Sequence, residues 1–317
     1  MFKIPLSRSI SKSTLFGYCK RKYYFQYYTS HLKQSVPDIR LEALLVKNIQ
    51  SFDMWMGSKI HQLFSDYLHL YADSTYSKEN LDKVLENIIK ETKHELNLST
   101  NKNYTTYDKY QKFWLSEHYF GETVDLDVGI KRIKDQFDNF IQSDLHKEII
   151  HHFQTSTCFV ETREPNFEQM KFELSHIDDL KGVTIFAQPD FGVKINDHSF
   201  IIYDWKSGRV PDKDSNKISD QLQVYAYKIR FKLNYPKEFN IEVKEVFMDQ
   251  MKIFGGVVQE SDLKNIEKMM IKQINEQKKF LKDIPNNIPK DISEFKKTTS
   301  KAKCKTCRFR RICKRSW

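Results

Sequence analysis

The 317-residue chain holds little that would bend or cross-link it: nine glycines, eight prolines and five cysteines. So few cysteines, unevenly placed, exclude a disulfide framework. Internal repeats, low-complexity tracts and a Pro/Gly-rich linker are missing too, so composition marks no domain boundary and the chain reads as a single domain over 1–317. No apolar run approaches the ~18–20 residues needed to cross a bilayer, and no apolar secretory core opens the chain. A cytoplasmic protein without a membrane partner is expected. Acid is scarce at the start, where residues 1–37 contain no Asp or Glu. Overall, 52 Lys and Arg against 42 Asp and Glu leave a formal charge of +10, which favours a polyanionic partner. The helicase signature GxxxxGK[ST] is absent as well, so any motor must be another chain.

With 39% hydrophobic and 14% aromatic residues the chain has ample material for a core. Apolar periodicity predicts helices over 11–28, 57–71 and 77–96, and another through Ile130, Ile133, Phe137 and Ile141. From about residue 156 the pattern shortens to β-type runs: TCFVET, MKFELSHI, VTIFAQPDFGVKI and FIIYDWKSG. A helix over 218–233, a strand pair within 241–258 and an amphipathic helix over 261–282 complete the series. The order predicts an α/β core with a helical insertion over 73–150.

Within QPDFGVKINDHSFIIYDWKSG, Asp190 is expected in one strand, Asn196-Asp197 in a turn, and Asp204-Trp205-Lys206 at the end of the next strand. Alternation then sets Asp204 and Lys206 on one face and Trp205 on the other. Paired carboxylates suit Mg²⁺ or Mn²⁺, and a neighbouring lysine can act on a metal-bound water. The spacing by itself also fits ordinary strand-end ion pairs. His61 lies on an apolar-striped helix, Gln221 and Tyr225 share a helical face at i, i+4, and Glu161 closes TCFVET. Each has a plain structural explanation when taken alone. Cys304, Cys307 and Cys313 fall within ten residues and need one further thiolate, for which Cys19 is the candidate; spacing leaves zinc and iron–sulfur both open. Cys158 reads as a small buried strand residue.

Taken in order, Gly57-x3-His61, Pro189-Asp190, Asp204-Trp205-Lys206 and Gln221-x3-Tyr225 resemble the RecB-like branch of the PD-(D/E)xK nuclease superfamily. The resemblance implies a restriction-endonuclease-like core, a mixed sheet flanked by helices. It also implies Mg²⁺ or Mn²⁺ held by His61, Asp190, Asp204 and the Trp205 carbonyl, Lys206 acting on the attacking water, and Gln221 and Tyr225 arranging the site. Glu161 matches only loosely the acid that often precedes the hairpin. A distant cysteine followed by a terminal CxxCx5C, with the stretch SISKSTLFGYCKRKYYFQYY, is similar to iron–sulfur members of that branch. These are CRISPR-associated adaptation exonucleases and the nuclease of AddB-type subunits. A [4Fe–4S] cluster on Cys19, Cys304, Cys307 and Cys313 is implied, in a lobe built from residues 1–30 and 299–317. Lys20 stands where those proteins commonly have proline, and residues 73–150 are unmatched.

The implied activity is that of a metal-dependent deoxyribonuclease, a single-strand or end-directed exonuclease of 5′→3′ polarity, in CRISPR adaptation or DNA repair. DNA and a protein of such a complex are the implied partners. The rival expectations are a non-catalytic DNA-binding or assembly subunit, and a zinc-stabilised restriction or repair endonuclease. The tail 301–317 places eight Lys and Arg among the cysteines, and residues 20–28 place three cations among five aromatics. Those cations can track phosphates, while Tyr23, Tyr24, Phe25 and Tyr28 either stack on bases or pack their own helix.

Overall fold

The computed structural model describes residues 5–29, 37–101, 113–161, 170–212, 217–232 and 238–315. Strand β1 (Ser7–Arg8) leads into helices α1 (Ile10–Tyr18), α2 (Lys20–Tyr24) and, after a π turn over Phe25–Thr29, α3 (Pro37–Val46). Five helices follow: α4 (Phe52–Ala72), α5 (Lys78–Thr100), α6 (Ser116–Phe120), α7 (Leu126–Ile141) and α8 (Asp144–Thr155). Next come β2 (Thr157–Val160), β3 (Lys171–Glu173), β4 (Thr184–Phe186), β5 (Phe191–Asn196) and β6 (Ser199–Lys206). Helix α9 (Asp220–Lys232), β7 (Asn240–Phe247), β8 (Lys252–Val257) and α10 (Glu260–Lys278) precede the hairpin β9 (Leu281–Asp283) and β10 (Ile288–Pro289). Two short helices, α11 (Lys301–Lys305) and α12 (Arg310–Arg315), close the described chain. No helix among the described residues is long and apolar enough to cross a membrane.

The chain forms two compact units. One comprises Gln50–Met170 and Ala187–Ile266, and is built on a five-stranded mixed sheet of order β2-β5-β6-β7-β8. Only β6 and β7 run parallel, in a register that sets Asp204 beside Glu245 and Lys206 beside Phe247. Six consecutive residues of β6, Phe200 to Trp205, are buried, as expected of a strand covered on both faces. Trp205, Tyr203 and Phe191 meet Ile60, Phe64, Phe137 and Phe140 of α4 and α7 in the core. Helix α9 packs against β6 and β7. This is the mixed, helix-flanked sheet that the resemblance implies. The long helices begin where a side chain can satisfy a free N–H: Ser51 accepts from Met54, Ser77 from Asn80, Asp125 from Val128 and Ser143 from His146.

The other unit comprises Met1–Ile49, Lys171–Phe186 and Glu267–Trp317. It contains the three-stranded sheet β1-β4-β3, the β9–β10 hairpin and an aromatic cluster in which Tyr23, Phe25, Tyr28, Phe295 and Phe309 are buried. Base stacking by Tyr23, Tyr24, Phe25 and Tyr28 is thereby corrected: all four are buried and pack on one another or on Phe295 and Phe309. The expected helix over 11–28 breaks at Cys19, whose backbone is extended (φ −164°) between α1 and α2. Likewise VTIFAQPDFGVKI is not one strand. It splits at Pro189, with β4 in the three-stranded sheet and β5 in the five-stranded one, since proline offers no ladder N–H. Asp190 consequently lies on the bend before β5 rather than within a strand.

Candidate active site

Strand alternation does at β6 what the spacing predicts. Trp205 turns into the core, 1% exposed, with its ring 5.8 Å from that of Phe64. Asp204 and Lys206 emerge on the opposite face, where the Lys206 ammonium sits against Asp204 Oδ2. The same ammonium donates to Gln221 Oε1 at 2.9 Å and lies 4.0 Å from Glu245 Oε1. Gln221 Nε2 reaches Asp204 Oδ1 at 3.1 Å and the Tyr225 hydroxyl, one helical turn further along α9, at 2.6 Å. Asp190 joins from the bend before β5. Its Oδ2 accepts the backbone N–H of Trp205 at 2.6 Å, so the peptide linking Asp204 to Trp205 ties the two carboxylates together. His61 Nδ1, from α4, stands 3.4 Å from Asp190 Oδ1. The structure thus gathers His61, Asp190, Asp204, Trp205, Lys206, Gln221 and Tyr225 around one point.

Electrostatically the point is acid-rich and partly dry. Burial, reinforced by the charge of Asp190, raises the Asp204 carboxyl above its usual range, against the pull of Lys206 and His61. Burial with the charges of Asp190 and Asp204 pushes Glu161 up to about 7. For His61, burial opposes the charged form, but the hydrogen bond and charge of Asp190, helped by Asp204 and Glu161, outweigh it and raise the pKa. The Tyr225 phenol is raised by burial and by the same two aspartates. Glu161 also ties in through its backbone, its N–H donating to the Asp190 carbonyl at 2.9 Å. Glu245 was not singled out by the sequence reading. Its signal was a lone acid at a buried position of NIEVKEVF, and its proximity to Lys206 depends on the parallel register of β6 and β7.

Beside these groups opens a cavity of about 1240 Å³, lined among others by His61, Glu161 and Asp190. Two helices brace its edge at Ser207, the residue after Lys206. Gly57 of α4 passes so close that a Cβ there would meet Ser207 Oγ at 2.7 Å. From α7, Arg132 Nη2 and Gln136 Nε2 both donate to the Ser207 carbonyl, at 2.6 and 3.2 Å. The helical stretch that the motifs leave unmatched therefore contributes directly to the site.

Among the described residues, no three or more His, Cys, Asp or Glu side chains stand in a ready metal-binding arrangement. The donor chemistry nonetheless fits a hard divalent cation: carboxylates crowded into an acidic corner, with Asp204 and Glu161 held back from ionising first by burial and then by the charge of Asp190. In the other unit, Cys19, Cys304, Cys307 and Cys313 line one cavity of about 670 Å³. The Cys19 sulfur also caps α2, accepting from the Lys22 N–H at 3.5 Å. Burial raises the thiols of Cys307 and Cys313, with Lys22 and Lys297 respectively opposing it. Thiols are soft donors, and these four line one cavity without standing in a metal-binding group among the described residues. Cys158 stands apart on β2.

No curated protein matches the chain. The family model of the PD-(D/E)XK nuclease superfamily matches residues 7–314, nearly its whole length, and the chain belongs to that superfamily.

Proposed function

We propose that the protein is a Mg²⁺- or Mn²⁺-dependent deoxyribonuclease of the RecB-like iron–sulfur branch, acting on single strands or duplex ends. What carries this reading is the meeting of Lys206 with Asp204 and Gln221, next to an Asp190 fixed by the Trp205 N–H. His61, Asp190, Asp204 and the Trp205 carbonyl would hold the cation. When bound, the metal supplies Lewis-acid polarisation of the phosphate and a water of lowered pKa.

The remaining work belongs to the side chains. Lys206, anchored by Gln221 Oε1, presents an ammonium that can donate a hydrogen bond to the attacking water and offset charge on the phosphate. Gln221 links Asp204 to Tyr225, so the carboxylate keeps its orientation while charge develops at the phosphate. Trp205 anchors the motif in the core and keeps water from the inner side of β6. In the other unit, Cys19, Cys304, Cys307 and Cys313 are assigned to a [4Fe–4S] cluster of structural role, in a lobe drawn from residues 1–30 and 299–317. The 5′→3′ polarity and a place in CRISPR adaptation or DNA repair are carried over from the resemblance.

The test is digestion of end-labelled single-stranded, duplex and circular DNA with Mn²⁺ or Mg²⁺. Linear substrates should be shortened and circles spared. Lys206→Ala should slow cleavage by about 10²–10⁴-fold and leave DNA binding in place. Wild-type turnover in that variant would overturn the assignment, and cut circles would make the enzyme an endonuclease.

A further inference from the structure

Arg132 and Gln136 share a hydrogen-bond acceptor but differ in setting. Both line the cavity with Asp190, but Gln136 is 2% exposed with its amide donating to the Ser207 carbonyl, whereas the Arg132 side chain is 26% exposed. One end of its guanidinium, Nη2, is fixed by Ser207 O. The other end, Nη1, meets Asp53 Oδ1 at 2.9 Å, and that carboxylate is 84% exposed. An ion pair to so exposed a partner is weak and easily exchanged.

Charge in the cavity makes the exchange useful. Its lining carries five carboxylates, Asp190 and Glu161 among them, against two guanidinium groups, those of Arg132 and Arg209. A phosphodiester entering this space meets like charge unless a cation receives it. A guanidinium already oriented by a backbone carbonyl has the planar fork that matches two phosphate oxygens. We propose that Arg132, supplied by the helical segment outside the family motifs, binds a backbone phosphate of the nucleic-acid strand in the active-site cavity. Asp53 holds the arginine in readiness and is displaced by that phosphate. The assignment rests on the nuclease reading above.

The two partners should respond in opposite directions, which a purely structural ion pair would not do. Binding of a fluorescent single-stranded oligonucleotide is measured by anisotropy in EDTA over a salt series, alongside cleavage in Mn²⁺ and thermal melting of each variant. Arg132→Ala should weaken binding several-fold and flatten the log Kd against log salt slope by about 0.7, the loss of one phosphate contact to a single strand. Arg132→Lys should recover part of both. Asp53→Asn should tighten binding, by removing a competitor and a repelling charge. An unchanged slope in Arg132→Ala, or weakened binding in Asp53→Asn, overturns the proposal. So does wild-type protein that cleaves in Mn²⁺ but binds no oligonucleotide in EDTA. Wild-type protein that neither cleaves nor binds DNA removes the nuclease reading and this assignment together.

Discussion

At the scale of single residues, a buried charge is one cost this chain accepts away from its acidic site. Lys12 is 7% exposed, donates to Ser7 Oγ at 2.9 Å and lies 4.8 Å from the centre of the Tyr27 ring. Burial lowers its pKa from 10.5 to about 8. Between those values the folded chain holds fewer protons than the unfolded one, so stability rises with pH across that window. Below pH 8 the fold carries the full cost of the buried ammonium. Lys12→Met is therefore expected to stabilise the protein at pH 7 by about 1–2 kcal/mol after losing its polar contacts, with the gain fading toward pH 10.5. Thermal melts at several pH values check this, and a gain independent of pH would contradict it. The same scale shows what the sequence could disclose. Asp204 with Lys206, and Gln221 with Tyr225, were legible because strand alternation and one helical turn fix such pairs locally. Glu245, Arg132 and the Trp205 N–H bond to Asp190 were not, because each depends on how distant elements are registered.

Among the elements, helices with a plain apolar stripe were the easiest to read. Helices α4, α5 and α7 occur where periodicity set them, each begun by a Ser or Asp cap. The break at Cys19 escaped because no proline marks it; its backbone N–H closes α1 on the Leu15 carbonyl, while its thiol caps the start of α2, a role more often taken by Ser or Asp. Helix α8 was missed although Ser143, Leu145 and Ile149 give it a cap and a buried stripe. At Pro189 the signal was present in the sequence, since a proline inside a β-type run argues against one continuous strand. The meeting of α4 with the end of β6 gives a prediction at this scale. In Gly57→Ala the added methyl meets Ser207 Oγ and forces that hydroxyl, next to Lys206, to turn away. Turnover should fall about tenfold, equivalent to ~1.4 kcal/mol. Adding Ser207→Gly should restore it, and steady-state rates of the single and double variants decide. A loss that the second change does not relieve would mean the methyl acts elsewhere.

For the whole molecule, the decisive property is which parts of the chain make each unit. Both chain ends belong to the same one, together with Lys171–Phe186 between them, and Cys19 lines a cavity with Cys304, Cys307 and Cys313. A cluster on these four thiols would close a loop over most of the sequence, so metal binding would feed directly into folding stability. Cys19→Ser keeps a hydroxyl able to cap α2 but removes the thiolate. It should lose iron and acid-labile sulfide and melt several degrees lower, while Cys158→Ser should keep both and melt as wild type. Iron retained in Cys19→Ser would refute the four-cysteine assignment. The threading of the units also sets a timetable for synthesis. As the polypeptide leaves the ribosome, everything needed for the five-stranded sheet has emerged by Ile266, whereas the first 49 residues must wait for the last 51. Their aromatic rings stay uncovered during that interval, and Cys19 can share a cavity with Cys304, Cys307 and Cys313 only after residue 313 has been made.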